Sequence, residues 1–413
     1  MAQNYSSYSI VNSEIAYRNS PNIDAFGRLR VSNPFTLFDS SHRFADNGLW
    51  STEASTGGTA VFNTSQGLMD LSVTAASGSE VIRETTKVFA YQPGKSLLVL
   101  STFVMNAAKT GLRQRIGYYG TGNGYYLEQN DSTISFVERS SVSGAIVNTP
   151  VLKSNWNVDK MDGTGPSGVI LDLTKAQILF MDLEWLGVGT VRIGFVIDGN
   201  FCVCHKFQHA NIITSTYITT ASLPLRYEIT NTAGTDSVSI LKQICSSIMS
   251  EGGYELSGAQ QAVALPVNTP RTLGTIGTFY PVISLRLKST RLDAIIIPSA
   301  VSALPTSSGN FNWQIIAVGT TTGGSWVSAG TSSGVEYNTT GTSFSGGRVV
   351  ASGYFSATNQ SSGKIDIQKN ALFQFQLERN GLTSTPYELT LIVASNSLND
   401  TLIASMDWEE VTR

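Results

Sequence analysis

The sequence predicts an all-β protein built from two β-sandwich domains with an extended N-terminal arm. Charged residues make up only 14% of the 413 residues, whereas glycine contributes 38 residues and aromatic residues 9%. Short apolar runs recur between turns rich in Gly, Ser and Thr, which is typical of sandwiches with many strands. A chain of this length exceeds one ordinary sandwich and can bury more than one core.

Residues 1–40 are polar and show little periodicity before FGRLRV and FTLF, and they contain Pro21 and Pro34. Such a segment is normally mobile unless something holds it. We therefore predict an extended arm that anchors the protein by adding a strand to a neighbouring subunit or packing along it. The candidate contact residues of this arm are Phe26, Arg28, Arg30, Phe35 and Phe38.

The first sandwich is predicted over residues 41–250, where strand-like runs such as SLLVLSTFVM (96–105) and AQILFMDLEWL (176–186) alternate with turns. The tripeptide DGN at 198–200 is a strong hairpin signal. Residues 190–197 and 201–207 are therefore expected to pair antiparallel.

A linker is predicted over residues 251–265, where SEGGYELSGAQQAVALP interrupts the pattern, and a second sandwich over residues 266–413. In PVISLRLK (281–288), alternation places Ile283, Leu285 and Leu287 on one face. The segment ALFQFQLE (371–378) alternates in the same way and predicts another strand.

Charge, hydropathy and cysteine content bear on whether the protein binds nucleic acid, enters a membrane or depends on disulfide bonds. A net charge of −3 and a pI near 5.7 give no reason to expect nucleic-acid binding, which needs clustered Lys and Arg. The sequence lacks an apolar run of eighteen residues and a signal-peptide pattern at its start, so we expect no membrane insertion and synthesis in a cytoplasm. Three cysteines are too few for a disulfide framework in a chain of this size.

Asp182 and Glu184 form the most enzyme-like pair in the sequence. On a strand they would face the same side about 6.6 Å apart, near the spacing of paired carboxyls in retaining glycosidases. The stretch is similar to part of the Glu-x-Asp-x-x-Glu motif of concanavalin-like glucanases, but Phe180 and Trp185 stand where that motif needs acids. The favoured interpretation is structural, with Arg192 on the next strand pairing with one of the two.

Cys202, Cys204, His205 and His209 lie within eight residues and could suggest a metal site. On a strand the two cysteines point to one face and His205 points to the other. No second cluster of Cys or His completes a tetrahedral set of ligands, so we expect no metal. The glycine-rich MDGTGPSG (161–168) lacks the Gly-Lys-Ser/Thr ending of a phosphate loop. We therefore expect no cofactor and no catalytic residues.

Aromatic residues offer a possible surface for sugars. Tyrosines flank the turn GTGNG at 120–124, and aromatic rings at a loop rim can stack on saccharides. The predicted glycan rim consists of Tyr118, Tyr119, Tyr125, Tyr126 and Trp326.

Several segments resemble structural proteins of tailed bacteriophages, especially those of aquatic bacteria. They are DAFGRLRVSNPFTLFDSS (24–41), MDGTGPSGVILDLTKAQILFMDLEWLGVGTVRIGFVIDG (161–199), FQHAN (207–211) and SLPLRYEI (222–229). The resemblance covers residues 24–250 best, and the ending from ALFQFQLE to MDWEEV is also similar. It implies a virion component with concanavalin-like or jelly-roll sandwiches and no catalytic residues.

Three functions follow as expectations. The first is a virion structural protein, a fibre, decoration, head-tail or baseplate component that is homo-oligomeric and binds other capsid, tail or adaptor proteins. The second is an adhesin that binds host surface glycan, and the third is a glycan hydrolase using Asp182 and Glu184. We expect the first, with the protein located in the virion.

Overall fold

The computed structural model describes the backbone of residues 8–11, 14–17, 32–253, 258–357, 365–366 and 375–412, and the side chains of 32–253, 258–357 and 375–411. Within these ranges the regular structure is β-strand, apart from single 3-10 turns at Lys153–Asn155 and Ser289–Arg291. No helix in the described part of the chain is long and apolar enough to span a membrane.

Thirty strands follow one another in the described part of the chain. The first seventeen are β1 Tyr8–Val11, β2 Glu14–Tyr17, β3 Pro34–Ser41, β4 Trp50–Ser55, β5 Thr59–Asn63, β6 Leu68–Val73, β7 Glu80–Thr85, β8 Leu97–Val104, β9 Leu112–Tyr119, β10 Gly124–Asn130, β11 Thr133–Ser140, β12 Val147–Leu152, β13 Gln177–Leu183, β14 Val191–Ile197, β15 Asn200–Phe207, β16 Leu225–Asn231 and β17 Ser239–Glu251. The others are β18 Ala259–Ala264, β19 Arg271–Leu273, β20 Tyr280–Leu287, β21 Ile295–Pro305, β22 Asn310–Thr322, β23 Val327–Ser328, β24 Val335–Asn338, β25 Ser343–Ser356, β26 Ile365–Asp366, β27 Arg379–Asn380, β28 Thr385–Pro386, β29 Glu388–Ser395 and β30 Asp400–Thr412.

The first sandwich consists of two antiparallel sheets. One has seven strands in the order β12-β11-β10-β9-β16-β7-β4, and the other has the order β15-β14-β13-β8-β17-β6-β5 with β3 also paired to β17. Their inner faces share one core, to which Leu127 and Phe136 contribute from the seven-stranded sheet and Phe103, Leu179 and Ile193 from the other. Alternation along each strand produces this arrangement, because every second side chain points inward.

The predicted hairpin at DGN is confirmed. β14 and β15 pair antiparallel and Ile197 lies opposite Asn200. Asp198 and Gly199 between them have positive φ values of 49° and 79°. Two central residues with positive φ match the type I′ turn, whose twist suits a two-residue hairpin.

The second sandwich has the same design. Its five-stranded sheet has the order β18-β30-β21-β26 with β19 also on β30, and its six-stranded sheet has the order β23-β24-β20-β29-β22-β25. Ile283, Leu285 and Leu287 are fully buried in the shared core, as the alternation predicts, and Trp408 packs there from the opposite sheet. An all-β fold with two sandwiches is therefore confirmed.

Strand β3 lies in the range that we assigned to the arm. It pairs with β17, and Phe38 is buried beside Trp50 and Phe89 at ring-centroid distances of 6.0 and 4.9 Å. Phe38 is thus a core residue, and Phe35 packs half-buried against the same core. Phe26, Arg28 and Arg30 lie outside the described residues, while β1 and β2 form an antiparallel pair.

Two further segments differ from the sequence-based expectation. β18 belongs to a sheet of the second sandwich although it lies in the predicted linker. Of the predicted strand at 371–378, residues 371–374 lie outside the described residues and 375–378 form no strand. Leu377 is nevertheless buried, and its backbone N–H donates to the Ile296 carbonyl at 3.0 Å.

Candidate functional site

The carboxylate pair at the end of β13 is structural in its geometry. Asp182 lies directly opposite Arg192 on β14, and the two side chains form an ion pair, as we predicted. Because Met181 and Leu183 point into the core, Asp182 faces away from it. Glu184 follows the strand and is exposed. The pair therefore does not converge on an enclosed pocket.

The predicted glycan rim is wrong for its four tyrosines. Tyr118 and Tyr125 point into the core of the first sandwich, and Tyr119 and Tyr126 lie on the outer face of the seven-stranded sheet, yet each is at most 1% exposed. The two outer rings are covered because guanidinium groups stack on them. Arg139 lies 5.4 and 5.2 Å from the Tyr119 and Tyr126 ring centroids, so a sugar has no access to these rings.

Trp326, the fifth member of that rim, lies in the second sandwich. It is half-buried, and the Arg286 guanidinium sits 4.0 Å from its ring centroid. Arg286 also pairs with Glu336 at 3.0 Å. One face of this indole is therefore engaged by a side chain of the same sandwich.

A ladder of alternating charges crosses the outer face of the seven-stranded sheet and was missed by the sequence analysis. Glu128, Arg115 and Glu228 lie side by side on β10, β9 and β16. Arg115 contacts Glu128 at 2.6 Å and Glu228 at 3.1 Å, while Arg113 reaches Glu228 at 2.9 Å. We call these four residues the charge ladder.

The charge ladder keeps Glu228 ionised. Burial would raise the pKa of its carboxyl, but Arg115, Arg113 and two more distant arginines outweigh burial and lower that pKa. Tyr119 donates a hydrogen bond to Glu228 at 3.4 Å, and burial followed by the Glu228 charge raises the pKa of its phenol. Each carboxylate is paired within the sheet, so the ladder acts as a brace between strands.

A second buried charge network connects the two sandwiches. Glu84 on β7 accepts a hydrogen bond from Arg226 Nε at 2.9 Å and pairs with Arg379 of the second sandwich at 2.9 Å. Arg379 also pairs with Asp293 at 3.0 Å and donates to the Thr85 carbonyl at 2.9 Å. Glu84 and Arg379 are only 2% and 3% exposed.

More contacts extend this network into a continuous interface. Lys87 lies 3.6 Å from Glu378, which also pairs with Arg348 at 2.8 Å. Gln376 donates to the Val88 carbonyl at 3.1 Å. A separate apolar cluster joins the two sandwiches beside it, with the members Val88, Ala90, Ile295 and Ile297. We call the charged contacts and this cluster the joint.

A cavity of about 670 Å³ opens at the joint. Leu37, Asp46 and Lys87 of the first sandwich and Arg348 and Gln376 of the second are among its lining residues. Burial lowers the pKa of the Lys87 ammonium, opposed by Glu378. The size suits a small ligand, but Lys87 and Arg348 in its lining already pair with Glu378. Asp46 pairs with Arg83 of the first sandwich.

The cysteines and histidines of the first sandwich serve different neighbours. The three cysteines are free, and Cys204 lies in the core. His205 accepts a hydrogen bond from the Asn157 backbone at 3.2 Å, whereas His209 contacts the Gly189 carbonyl and Glu138 at 2.7 and 2.8 Å. Among the described residues, no group of three or more His, Cys, Asp and Glu side chains is placed to hold a metal ion.

Comparison with known proteins yields likenesses of architecture. No family model matches the chain, and no curated protein matches it. Among solved structures, the carbohydrate recognition domain of Emp47p shares 12% identity over 53% of this chain and 97% of its own, with a TM-score of 0.34.

Two other solved structures are similar to the same extent. A glycoside hydrolase family protein of Mycobacterium thermorestibile shares 10% identity over 51% of this chain and 99% of its own, with a TM-score of 0.34. Arcelin-5, a lectin-like defence protein of Phaseolus vulgaris, shares 10% identity over 53% of this chain and 99% of its own, with a TM-score of 0.31. Likeness at this level concerns the β-sandwich alone, and sandwiches of one architecture serve unrelated functions.

Proposed function

We propose that this protein is a structural component of a bacteriophage particle that acts through protein–protein assembly, as a homo-oligomer in contact with other capsid, tail or adaptor proteins. The resemblance of residues 24–41, 161–199, 207–211 and 222–229 to phage structural proteins supports this proposal. The structural observation behind it is the joint, whose buried ion pairs and apolar cluster link the two sandwiches without using any group for catalysis.

The acidic residues favour the same proposal over hydrolysis of glycans. Asp182 is held by Arg192, and Glu184 lies exposed beyond the strand. A retaining or inverting glycosidase needs two carboxyl groups that face one substrate bond, one of them protonated. Asp182 instead faces Arg192 on the neighbouring strand and is paired with it, so the two acids lack the arrangement that either mechanism needs.

The structure determines which deletion can test assembly through the arm. Removing residues 1–40 would delete most of β3, including Phe38, and would expose the core against which Phe38 packs. Removing residues 1–31 leaves every described strand of both sandwiches in place. The shorter deletion therefore tests anchoring without removing a core strand.

In that experiment, the full chain and the 1–31 deletion carry the same affinity tag and are supplied during infection by the phage that encodes the protein. We expect the full chain in purified particles and the truncated chain only in the unassembled fraction, with circular dichroism confirming that it folds. Equal incorporation of the truncated chain would refute anchoring by the arm. Absence of the full chain from purified particles would refute the virion proposal itself.

Binding of host glycan is a second candidate function. It is favoured by one specific observation, an uncharged depression on the second sandwich whose lining includes the exposed Tyr354 and the amides of Asn312 and Gln314. The predicted tyrosine rim takes no part in it.

A further inference from the structure

The second sandwich carries an open depression of about 530 Å³ on its six-stranded sheet. It lies where β22, β25 and β29 run side by side, and residues 276–279 close one flank. Its volume is within the range of small-ligand sites. Its lining includes Ile276, Phe279, Asn312, Gln314, Tyr354 and Asn396.

Strand alternation presents the amides to this depression. Phe311, Trp313 and Ile315 point into the core, so Asn312 and Gln314 between them point to the opposite face. Tyr354 on β25 lies directly opposite Asn312, and its side chain is 83% exposed. An amide floor and a protruding aromatic ring therefore lie next to each other.

The lining contains no charged side chain. Phe279 is half-buried and Ile276 is exposed, so apolar surface flanks the amides on the side formed by residues 276–279. An ionic ligand would find no counter-charge here to replace its lost hydration. A ligand with hydroxyl groups and apolar C–H faces fits both kinds of surface.

Asn312 provides the strongest indication that something binds. Its Oδ1 atom is shielded from solvent and accepts no hydrogen bond from the residues that the structure describes. A buried acceptor without a donor costs roughly 1–3 kcal/mol. A hydroxyl group bound in the depression can donate to this amide oxygen once rotation of the side chain exposes it, and that bond would remove the cost.

We infer that this depression binds a neutral saccharide, with Tyr354 stacking on a C–H face of the sugar ring and Asn312 and Gln314 bonding its hydroxyl groups. The inference rests on the second candidate function and gives it a site and a ligand class. It is independent of the virion proposal, which concerns the arm and the joint.

The test uses the full chain on an array of neutral oligosaccharides ending in glucose, galactose or mannose, with a matched set ending in sialic or uronic acid. Binding to the neutral set is expected, and the dissociation constant is then measured by calorimetry. Tyr354→Ala removes the stacking ring and Asn312→Ala removes a hydrogen-bonding amide. Each substitution alone is expected to weaken binding by about tenfold or more. Val349→Ala, an exposed residue of the same strand outside the lining, serves as the matched control and should bind like wild type.

Each alternative result has a defined meaning. Saccharide binding that survives Tyr354→Ala and Asn312→Ala in folded protein overturns this site while leaving glycan binding in place. Binding confined to the acidic set overturns the ligand class. A blank array overturns both the site and the second candidate function. Self-association that Tyr354→Ala abolishes, with no saccharide binding, would instead identify the depression as a contact between copies of this chain.

Discussion

Replacing Arg379 by alanine removes the central cation of the joint. Its guanidinium pairs with Glu84 and Asp293 and donates to the Thr85 carbonyl, and its backbone N–H donates to the Thr86 carbonyl at 2.9 Å. The substitution leaves Glu84 buried with Arg226 as its remaining guanidinium partner. It also leaves the Thr85 carbonyl without this donor.

The expected loss follows from burial. Removing one partner of a buried ion pair costs about 3–5 kcal/mol. Glu84 keeps Arg226, and Asp293 is 58% exposed and can be hydrated, so we expect the lower end, about 3 kcal/mol. Arg192→Ala breaks the Asp182 pair, but Arg192 is 49% exposed, so this control should cost less than about 1 kcal/mol.

Urea unfolding at pH 7 measures the difference. Each sandwich contains three of the six tryptophans, so intrinsic fluorescence reports on both. We expect Arg379→Ala to lower the free energy of unfolding by about 3 kcal/mol and to separate the unfolding of the two sandwiches, whereas Arg192→Ala changes little. A loss in Arg379→Ala no larger than that in Arg192→Ala would refute the assignment of the joint as a stabilising interface.

Two further predictions concern buried charge in the first sandwich. Glu228→Gln removes the buried carboxylate that pairs with Arg113 and Arg115, and it should destabilise the protein by about 3 kcal/mol in the same urea assay. The control is Glu336→Gln, which breaks the pair with Arg286. Both side chains of that pair are 29% exposed, so the control should cost less than about 1 kcal/mol. Equal losses would contradict the ladder as a brace. Burial lowers the pKa values of His42 and His205 below 6.5. As the pH falls, the unfolded chain therefore takes up protons before the folded protein does, and the free energy of unfolding decreases from about pH 6.5 towards about 5. The decrease is at most about 1.4 kcal/mol per pH unit for each histidine. His42→Asn should flatten this slope, and a variant with the wild-type slope would contradict the assignment.

The sequence was sufficient to predict features that depend on local pattern. Alternation identified the buried face of β20 through Ile283, Leu285 and Leu287, and the DGN tripeptide located a hairpin. The ion pair of Asp182 and Arg192 was also predictable, because a single turn separates their strands. Each of these features joins residues that are close in the chain.

Features that depend on contacts between distant segments were not predictable. Arg379 and Thr85 are 294 residues apart, and no local pattern indicates that they meet. Alternation assigns Tyr119 and Tyr126 to one face of a sheet, but it does not reveal that arginines from neighbouring strands cover that face. Strand β3 was assigned to the arm for a similar reason, because its partner β17 follows about two hundred residues later.

The amides of the depression were missed because each is unremarkable in sequence. Asn312 and Gln314 occupy the polar positions of an alternating strand, where a solvated face is the ordinary interpretation. Their significance comes from Tyr354 on the neighbouring strand and from the acceptor of Asn312 that no described residue satisfies.

Quantitative mass spectrometry of purified phage particles tests the virion proposal most directly. Particles banded by density and stripped of loosely bound protein by high salt are digested, and peptides of this chain are counted against those of the major capsid protein. We predict that the number of copies of this chain per particle is a whole number and is the same in every preparation. Recovery of the chain only in the particle-free lysate, or in amounts that vary with washing, would contradict it.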